Sequence, residues 1–273
     1  MTVSVKVLVE DTESEHLALG TEHGLSLYVE TPQSTFLFDC GATGLAFSNA
    51  QKLHADLSAV SFVVCSHSHY DHAGGFPALL PIMRPDLLYT GAGFWEEKFA
   101  ASQKGGKYTY LGAGFGKKEV DAWGIRQRVV EDVVALDDSA WLMGNFPRRF
   151  PFETIPSRFV RGEGKQPDDF LDEICLVLRE DDGVAVVTGC AHPGILNMVV
   201  AVHERLGLPV RSVVGGTHLK DADDGRVDET LKRLAEMGMK RIAFCHCSGT
   251  RVRERLTDEL NGCPVSTGDM LFF

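Results

Sequence analysis

The segment at residues 66–75, SHSHYDHAGG, constrains the fold and function of this chain more than any other stretch. It follows an apolar run, VSFVVC, that is typical of a buried strand. In an extended segment alternate side chains share a face, so His67 and His69 can hold one metal ion between two neutral imidazoles. If a helix begins near Asp71, that carboxylate and His72 leave in another direction and can bind a second ion. The segment therefore predicts a metal site at the end of a strand.

Three later histidines also follow apolar, β-branched runs. They are His192 in TGCAHPG, His218 in GGTHL and His246 in FCHCSG. Strands of an open α/β sheet deliver their functional side chains at their carboxyl ends. We therefore expect these histidines to converge with the 66–75 segment on one site.

These motifs resemble the signature of the metallo-β-lactamase-fold hydrolases, H-x-H-x-D-H followed by Gly-Gly. The resemblance implies an α/β fold, a four-layer αββα sandwich of two mixed β-sheets with the metals at one edge. It also implies a single domain over residues 1–273. The match is weakest at about 91–164, where frequent glycines favour a loop-rich insertion.

The resemblance also implies the ligands. Most members of that superfamily end a central strand in Thr-Gly-Asp, whose Asp bridges two metals, but this chain has Cys190 there. A cysteine thiolate is a good zinc ligand and changes the metal preference of a site. We expect one or two divalent ions, most often zinc, with iron and manganese as alternatives. The expected ligands are His67, His69 and His192 for one ion, Asp71, His72 and His246 for the other, and Cys190 near or between them.

Further residues are candidates for supporting or catalytic roles. Asp39 ends the strand motif FDCG, which in the resembling family lies beneath the metals; a simple turn aspartate is the alternative. Asp71 can also accept a proton, and His218 can act as general acid or hydrogen-bond donor to the leaving group. By strand alternation, Cys245 and Cys247 point away from His246 and pack as small apolar residues.

Two polar segments are weaker candidates for binding substrate. Glu22 and His23 lie in a loop that enters a strand and can line a pocket, although solvated loop residues are the alternative. Arg148 and Arg149 begin a basic stretch at 148–165, where arginine can receive an anionic group; a solvated loop is again the alternative.

Composition limits the partners. A formal net charge of −11 argues against a nucleic acid or an anionic membrane surface as the main partner, but a small anionic substrate remains compatible. The first residues lack a signal-peptide pattern, and no apolar run reaches membrane-spanning length. Seven cysteines without an export signal make a disulfide framework unexpected. We therefore expect a cytoplasmic protein with reduced thiols, whose oligomeric state the sequence does not indicate.

The full set of motifs is narrower than the superfamily. It is similar to the dihydropterin-(ribofuranosyl)aminobenzene phosphate synthases, a pterin-related activity. The resemblance implies a metal-dependent hydrolase or transferase that acts on a small, phosphate-bearing metabolite through metal-activated water. An iron-containing redox or oxygen-handling protein and a non-catalytic ligand sensor are the alternatives.

Periodicity and turn residues predict the remaining elements. Asp-Asp-Gly at 181–183 predicts a hairpin, and Pro81 is expected to end a helix. Helices are predicted at 49–57, 76–80, 195–206 and 228–237. Strands are predicted at 3–9, 25–30, 35–39, 60–65, 86–90, 127–130, 140–143, 173–179, 184–188, 210–214 and 241–244.

Overall fold

The computed structural model describes residues 2–13, 17–102, 106–260 and 262–273. Within them the strands are, in chain order, β1 (Ser4–Val9), β2 (Ser26–Glu30), β3 (Thr35–Phe38), β4 (Phe62–Val64), β5 (Leu87–Gly91), β6 (Lys98–Ala101), β7 (Tyr108–Tyr110), β8 (Arg126–Val130), β9 (Val133–Ala135), β10 (Ala140–Met143), β11 (Phe159–Arg161), β12 (Gln166–Pro167), β13 (Cys175–Glu180), β14 (Gly183–Thr188), β15 (Val210–Gly215), β16 (Arg241–Phe244) and β17 (Met270–Phe272). The α-helices are α1 (Leu45–Lys52), α2 (Tyr70–Ala73), α3 (Phe76–Met83), α4 (Lys117–Ala122), α5 (Ile195–Leu206), α6 (Asp224–Glu236) and α7 (Thr250–Leu260).

Two sheets face each other across the main hydrophobic core. The first has the strand order β17-β1-β2-β3-β4-β5-β8, and the second has the order β16-β15-β14-β13-β10-β9. Val5 of β1 and Leu176 of β13 are both buried in the core between them. Cys175 and Val177, on the opposite face of β13, pack in a second core that also includes residues of α5. Because both faces of the first four residues of β13 are covered, their sequence, CLVL, is an apolar run without polar alternation.

Helices cover the outer face of each sheet. Leu196 of α5, Val227 of α6 and Val252 of α7 pack in the outer core of the second sheet. Ala46 of α1 and Phe76 of α3 pack in the outer core of the first sheet. The predicted four-layer αββα sandwich of two mixed β-sheets is therefore confirmed. None of the helices in the described ranges is both long and apolar enough to cross a membrane.

The predicted end of a helix at Pro81 is wrong. Helix α3 continues to Met83 and closes at Arg84, which adopts a left-handed φ of 49°. Proline lacks an N–H, so one hydrogen bond of the helix is missing at this position. Leu79 and Met83 are nevertheless buried in the outer core, and this packing keeps the last turn helical.

The segment at about 91–164 is more regular than we expected. Its strand β8 joins the first sheet, and β9 and β10 join the second. Strands β6 and β11 pair with each other, and with β7 and β12 they form a small third sheet that the sequence did not predict. Among the described residues of this segment, strands β6, β7 and β11 of the third sheet, helix α4 and the connections lie outside the two main sheets.

The parallel strands determine where the site lies. Strands β3, β4 and β5 run parallel in the first sheet, and β14, β15 and β16 run parallel in the second. The carboxyl ends of each set share one edge, where functional side chains collect in open α/β sheets. The three predicted histidine motifs and the 66–75 segment all follow these strand ends.

Candidate metal centre

The segment at 66–75 leaves β4 and turns into the short helix α2. His69 stands at the N-terminal cap of this helix, and Asp71 and His72 lie within it. Gly75 follows at a point of close approach, where an added Cβ would lie 2.2 Å from the carbonyl oxygens of Cys40 and Thr43. Any larger residue would push the segment away from the end of β3, so glycine sets its position.

The first cluster consists of His67, His69 and His192, whose ligand atoms lie within 4.8 Å of one another. The Nε2 atom of each ring is buried and has no hydrogen-bond partner among the described residues. Buried polar atoms are normally paired, so three converging unpaired nitrogens require an explanation. A metal ion held by three imidazoles fits them.

The second cluster consists of Asp71, His72 and His246, again with ligand atoms within 4.8 Å of one another. The Nε2 atoms of His72 and His246 are 3.1 Å apart, and Asp71 Oδ2 is 3.5 Å from His246 Nε2. A carboxylate and two imidazoles form a ligand set that suits a divalent transition metal.

Cys190 lies between the two clusters. Its Sγ is 3.2 Å from His72 Nε2. It forms one possible ligand group with His67 and His72 and another with His246 and Cys247. The Cys190 thiol therefore has candidate ligand atoms of both clusters within reach.

Carboxylates orient the imidazoles from outside. Asp39 Oδ2 is 2.6 Å from His72 Nδ1, and Glu173 Oε2 is 2.7 Å from His192 Nδ1. Such contacts fix the ring orientation and leave Nε2 to face the metal. Asp39 also accepts hydrogen bonds from the backbone N–H and hydroxyl of Ser66, so its contacts are those of a supporting carboxylate rather than a simple turn aspartate.

Substitution Glu173→Gln is expected to weaken metal binding at the first cluster by about 10- to 100-fold. Glu173 also accepts backbone N–H groups on both oxygens, from Cys190 and Ala191 on Oε1 and from His192 on Oε2, so the amide nitrogen of glutamine would face a donor in either orientation. Competition titration with a chromophoric chelator would measure the change. An unaltered dissociation constant in a folded variant would contradict this role for Glu173.

The two clusters differ in electrostatics. Burial lowers the pKa of His67 and His192 well below their ordinary range and that of His69 to about 4, so these imidazoles are neutral, as ligands must be. In the second cluster burial opposes the charged form, but the surrounding thiol and carboxylates raise the pKa of His246 well above its ordinary value. This cluster therefore favours a positive charge, as a bound cation would provide.

Two phenylalanines form one wall of the first cluster. The Phe170 ring stacks on His192 with centroids 3.7 Å apart, and Phe159 lies within 5.7 Å of the His69, His192 and His218 rings. Apolar rings around a metal site limit its access to water and lower the local dielectric constant.

A cavity of about 180 Å³ opens onto both clusters. His218, predicted to face substrate, lines it, and burial lowers the pKa of this imidazole to about 3. His23 also lines the cavity, and its Nε2 is 3.3 Å from Asp71 Oδ2. Arg158 and Lys220 contribute the basic groups of the cavity wall.

Three weaker substrate-binding candidates, Glu22, Arg148 and Arg149, are not among the residues that line this cavity. Glu22 accepts hydrogen bonds from the Ala42 and Thr43 backbone and so closes a loop beside the cavity. Arg148 donates to two backbone carbonyl oxygens, and Arg149 pairs with Glu204 on the surface. Both arginines are thus engaged by other protein groups and lie outside the cavity lining.

Sequence reasoning missed two residues at the second cluster. Asp11 lies 2.7 Å from both His23 Nδ1 and His246 Nδ1, and its position two residues beyond β1 was the available signal. Cys247 lines the cavity, which contradicts the prediction that it points away. The alternation argument failed because residues 246–248 form a 3₁₀ turn rather than a strand. Cys245, in contrast, packs in the core between the sheets.

Comparisons with known proteins agree with the fold. The family model of the metallo-beta-lactamase superfamily matches residues 19–89, which include the 66–75 segment. A 7,8-dihydropterin-6-methyl-4-(beta-D-ribofuranosyl)-aminobenzene-5'-phosphate synthase of Methanocaldococcus jannaschii is 26% identical over 270 residues, covering 94% of this chain and 91% of that protein.

Solved structures show the same architecture. Tm1679, described as a metal-dependent hydrolase of the beta-lactamase superfamily, aligns with a TM-score of 0.84 and 26% identity over 98% of both chains. The metallo-beta-lactamase fold protein YhfI of Bacillus subtilis aligns over the whole of both chains with a TM-score of 0.62, but its 10% identity supports the fold alone. The chain therefore has the metallo-β-lactamase fold, and its residues 19–89 match the family model of the metallo-beta-lactamase superfamily.

Proposed function

We propose that this chain is a metal-dependent hydrolase or transferase that acts on a small, phosphate-bearing, pterin-like molecule. The observation that carries the proposal is the set of three unpaired, buried imidazole nitrogens beside a second cluster of two imidazoles and a carboxylate. The substrate class rests on similarity to a relative whose name describes a pterin-derived phosphate. When bound, divalent ions there supply Lewis acidity and lower the pKa of water.

The chain's own residues then have distinct roles. His67, His69 and His192 would hold one ion, Asp71, His72 and His246 the other, with Cys190 near both. Asp71 and His218 both line the cavity, and in this proposal Asp71 would also accept a proton and His218 would donate a hydrogen bond to a leaving group. Phe159 and Phe170 exclude water from the wall of the first cluster.

Arg158 is the group proposed to receive the phosphate. It lines the cavity, and its guanidinium has a geometry suited to phosphate oxygens, although it also pairs with Asp221 at 2.6 Å. We expect Arg158→Gln to raise KM for a phosphate-bearing substrate about 5- to 30-fold, since a charge-assisted contact contributes about 1–2 kcal/mol. Arg149→Gln, outside the cavity, is the matched control. Equal KM values in the two variants would argue against phosphate recognition by Arg158.

The test of the function combines metal analysis with a substrate screen. Zinc, iron and manganese per chain are measured after gentle purification, and the metal-loaded protein is incubated with phosphomonoesters, phosphodiesters and pterin phosphates. We expect about two ions per chain, as in two-metal hydrolytic sites, and release of product from at least one class. No bound metal after reconstitution would contradict the proposal.

An iron-containing redox or oxygen-handling centre is the second candidate. The thiols of Cys190 and Cys247 lie beside the second cluster and would suit a softer or iron-containing site. Iron retained during anaerobic purification, with oxygen uptake and no turnover in the phosphate screen, would favour this candidate over the hydrolase.

A further inference from the structure

Two thiols and one imidazole meet on one side of the second cluster. Cys190, His246 and Cys247 each offer one ligand atom, and these atoms lie within 4.8 Å of one another. Cys190 and Cys247 also line the same cavity. A metal ion bound at the second cluster would therefore have a second sulfur, that of Cys247, within reach.

The surrounding backbone holds the Cys247 sulfur in place. The backbone N–H of His218 donates to Sγ at 3.2 Å. Gly216 lies against the sulfur on another side, where an added Cβ would approach Sγ to 2.7 Å. The 3₁₀ turn that carries Cys247 is anchored because the Ser248 hydroxyl accepts hydrogen bonds from Thr217. These contacts fix the position of the sulfur at the cavity, whereas a cysteine that only fills a gap in the core would need no such contacts.

We propose that Cys247 is an additional metal ligand, which together with Cys190 and His246 gives the second site two thiolates. The proposal rests on the metal centre of the proposed function but not on its substrate. Two thiolates and an imidazole select zinc, cadmium or cobalt over magnesium and manganese, which prefer oxygen ligands. Cys247 thereby sets which metal the second site accepts.

The chain provides a matched control. Cys245 lies two residues earlier and is equally buried, but its side chain packs in the core between the sheets. If Cys247 were only a packing residue, Cys245→Ala and Cys247→Ala would have similar, small effects on metal binding. If Cys247 is a ligand, only Cys247→Ala changes the metal site.

Cobalt and cadmium are the probes. The sulfur-to-cobalt charge-transfer absorption of Co²⁺-loaded protein is expected to fall by roughly half in Cys247→Ala and in Cys190→Ala, as for loss of one of two thiolate ligands. Cys245→Ala should retain the wild-type intensity. The cadmium dissociation constant should rise more than 100-fold in Cys247→Ala, beyond the roughly 10- to 100-fold effect of removing an outer partner. If the alanine variant fails to fold by circular dichroism, Cys247→Ser replaces it.

Two outcomes would overturn the proposal. One is a Cys247→Ala or Cys247→Ser protein with wild-type charge-transfer intensity. If Cys190→Ala loses the whole charge-transfer absorption, Cys190 is the one thiolate ligand. The other is a wild-type protein that binds neither cobalt nor cadmium. A protein that shows the two-thiolate signature but turns over no phosphate compound would sustain this proposal and contradict the proposed function.

Discussion

Replacing His69 with alanine is expected to remove one metal ion per chain and to lower turnover of the proposed substrate by more than about 100-fold, the upper effect of losing only an outer partner. His69 Nε2 is one of three buried nitrogens in the first cluster that lack a partner in the described chain. The two imidazoles that remain cannot complete a three-nitrogen ligand set of the catalytic zinc type. Elemental analysis and initial rates would measure both effects.

His203→Ala is the matched control for this experiment. His203 is exposed on α5, and its Nδ1 is 2.9 Å from the Leu208 carbonyl oxygen. This variant should keep wild-type metal content and rate. Chelator treatment of wild-type protein should reproduce the rate of His69→Ala, and zinc should restore only the wild type. A folded His69→Ala protein with full metal content and activity would contradict the assignment of the first cluster.

The sequence predicted best those elements whose signals are local. Strands β10 and β16 and helix α5 begin and end where periodicity placed them. Helix α5 lies between Gly194 and Gly207, both with positive φ, so residues that favour a turn flank it on each side. The third sheet was missed because its strands are short and pair across long sequence separations. Strands β6 and β11 are stabilised by hydrogen bonds to each other across a long sequence separation, so their own residues carry only a weak strand pattern.

The candidate ligands could be predicted because they follow strand ends, where the fold brings side chains together. The groups that orient them could not. Glu173 supports His192 only through the tertiary fold, since nothing in the residues around it indicates a buried carboxylate that receives three backbone N–H groups. The partners of Arg148 and Arg149 could not be predicted either, because a local excess of charge does not show which protein groups each arginine contacts.

Substitution of Lys98 by methionine is expected to lower the free energy of unfolding by about 3–5 kcal/mol, the usual effect of removing one partner of a buried ion pair. The Lys98 ammonium lies on β6, 2% of the residue is exposed, and it contacts Asp168 at 2.9 Å and Asp172 at 2.8 Å. Asp172 also accepts hydrogen bonds from the backbone and hydroxyl of Ser68 in the ligand segment. Methionine would leave two buried carboxylates without their counter-charge. The melting temperature should fall by about 6–20 °C, whereas Lys118→Met on the exposed face of α4 should change it little.

The pH dependence of this loss separates unpaired charge from lost packing. Burial raises the pKa of Asp172, but Lys98 and Ser68 more than offset this and hold it below its ordinary value; at Asp168 burial prevails and the pKa is raised. In wild type, Asp172 therefore stabilises the fold above its ordinary pKa and loses this contribution as the pH falls through its lowered value. Without Lys98 the pKa of both carboxyls should rise, so they become protonated at a higher pH in the variant than in the wild type. Its deficit in melting temperature should be larger near about pH 8 than near about pH 5. Equal deficits at the two pH values would show that Lys98 acts through the packing of its alkyl chain and not through its charge.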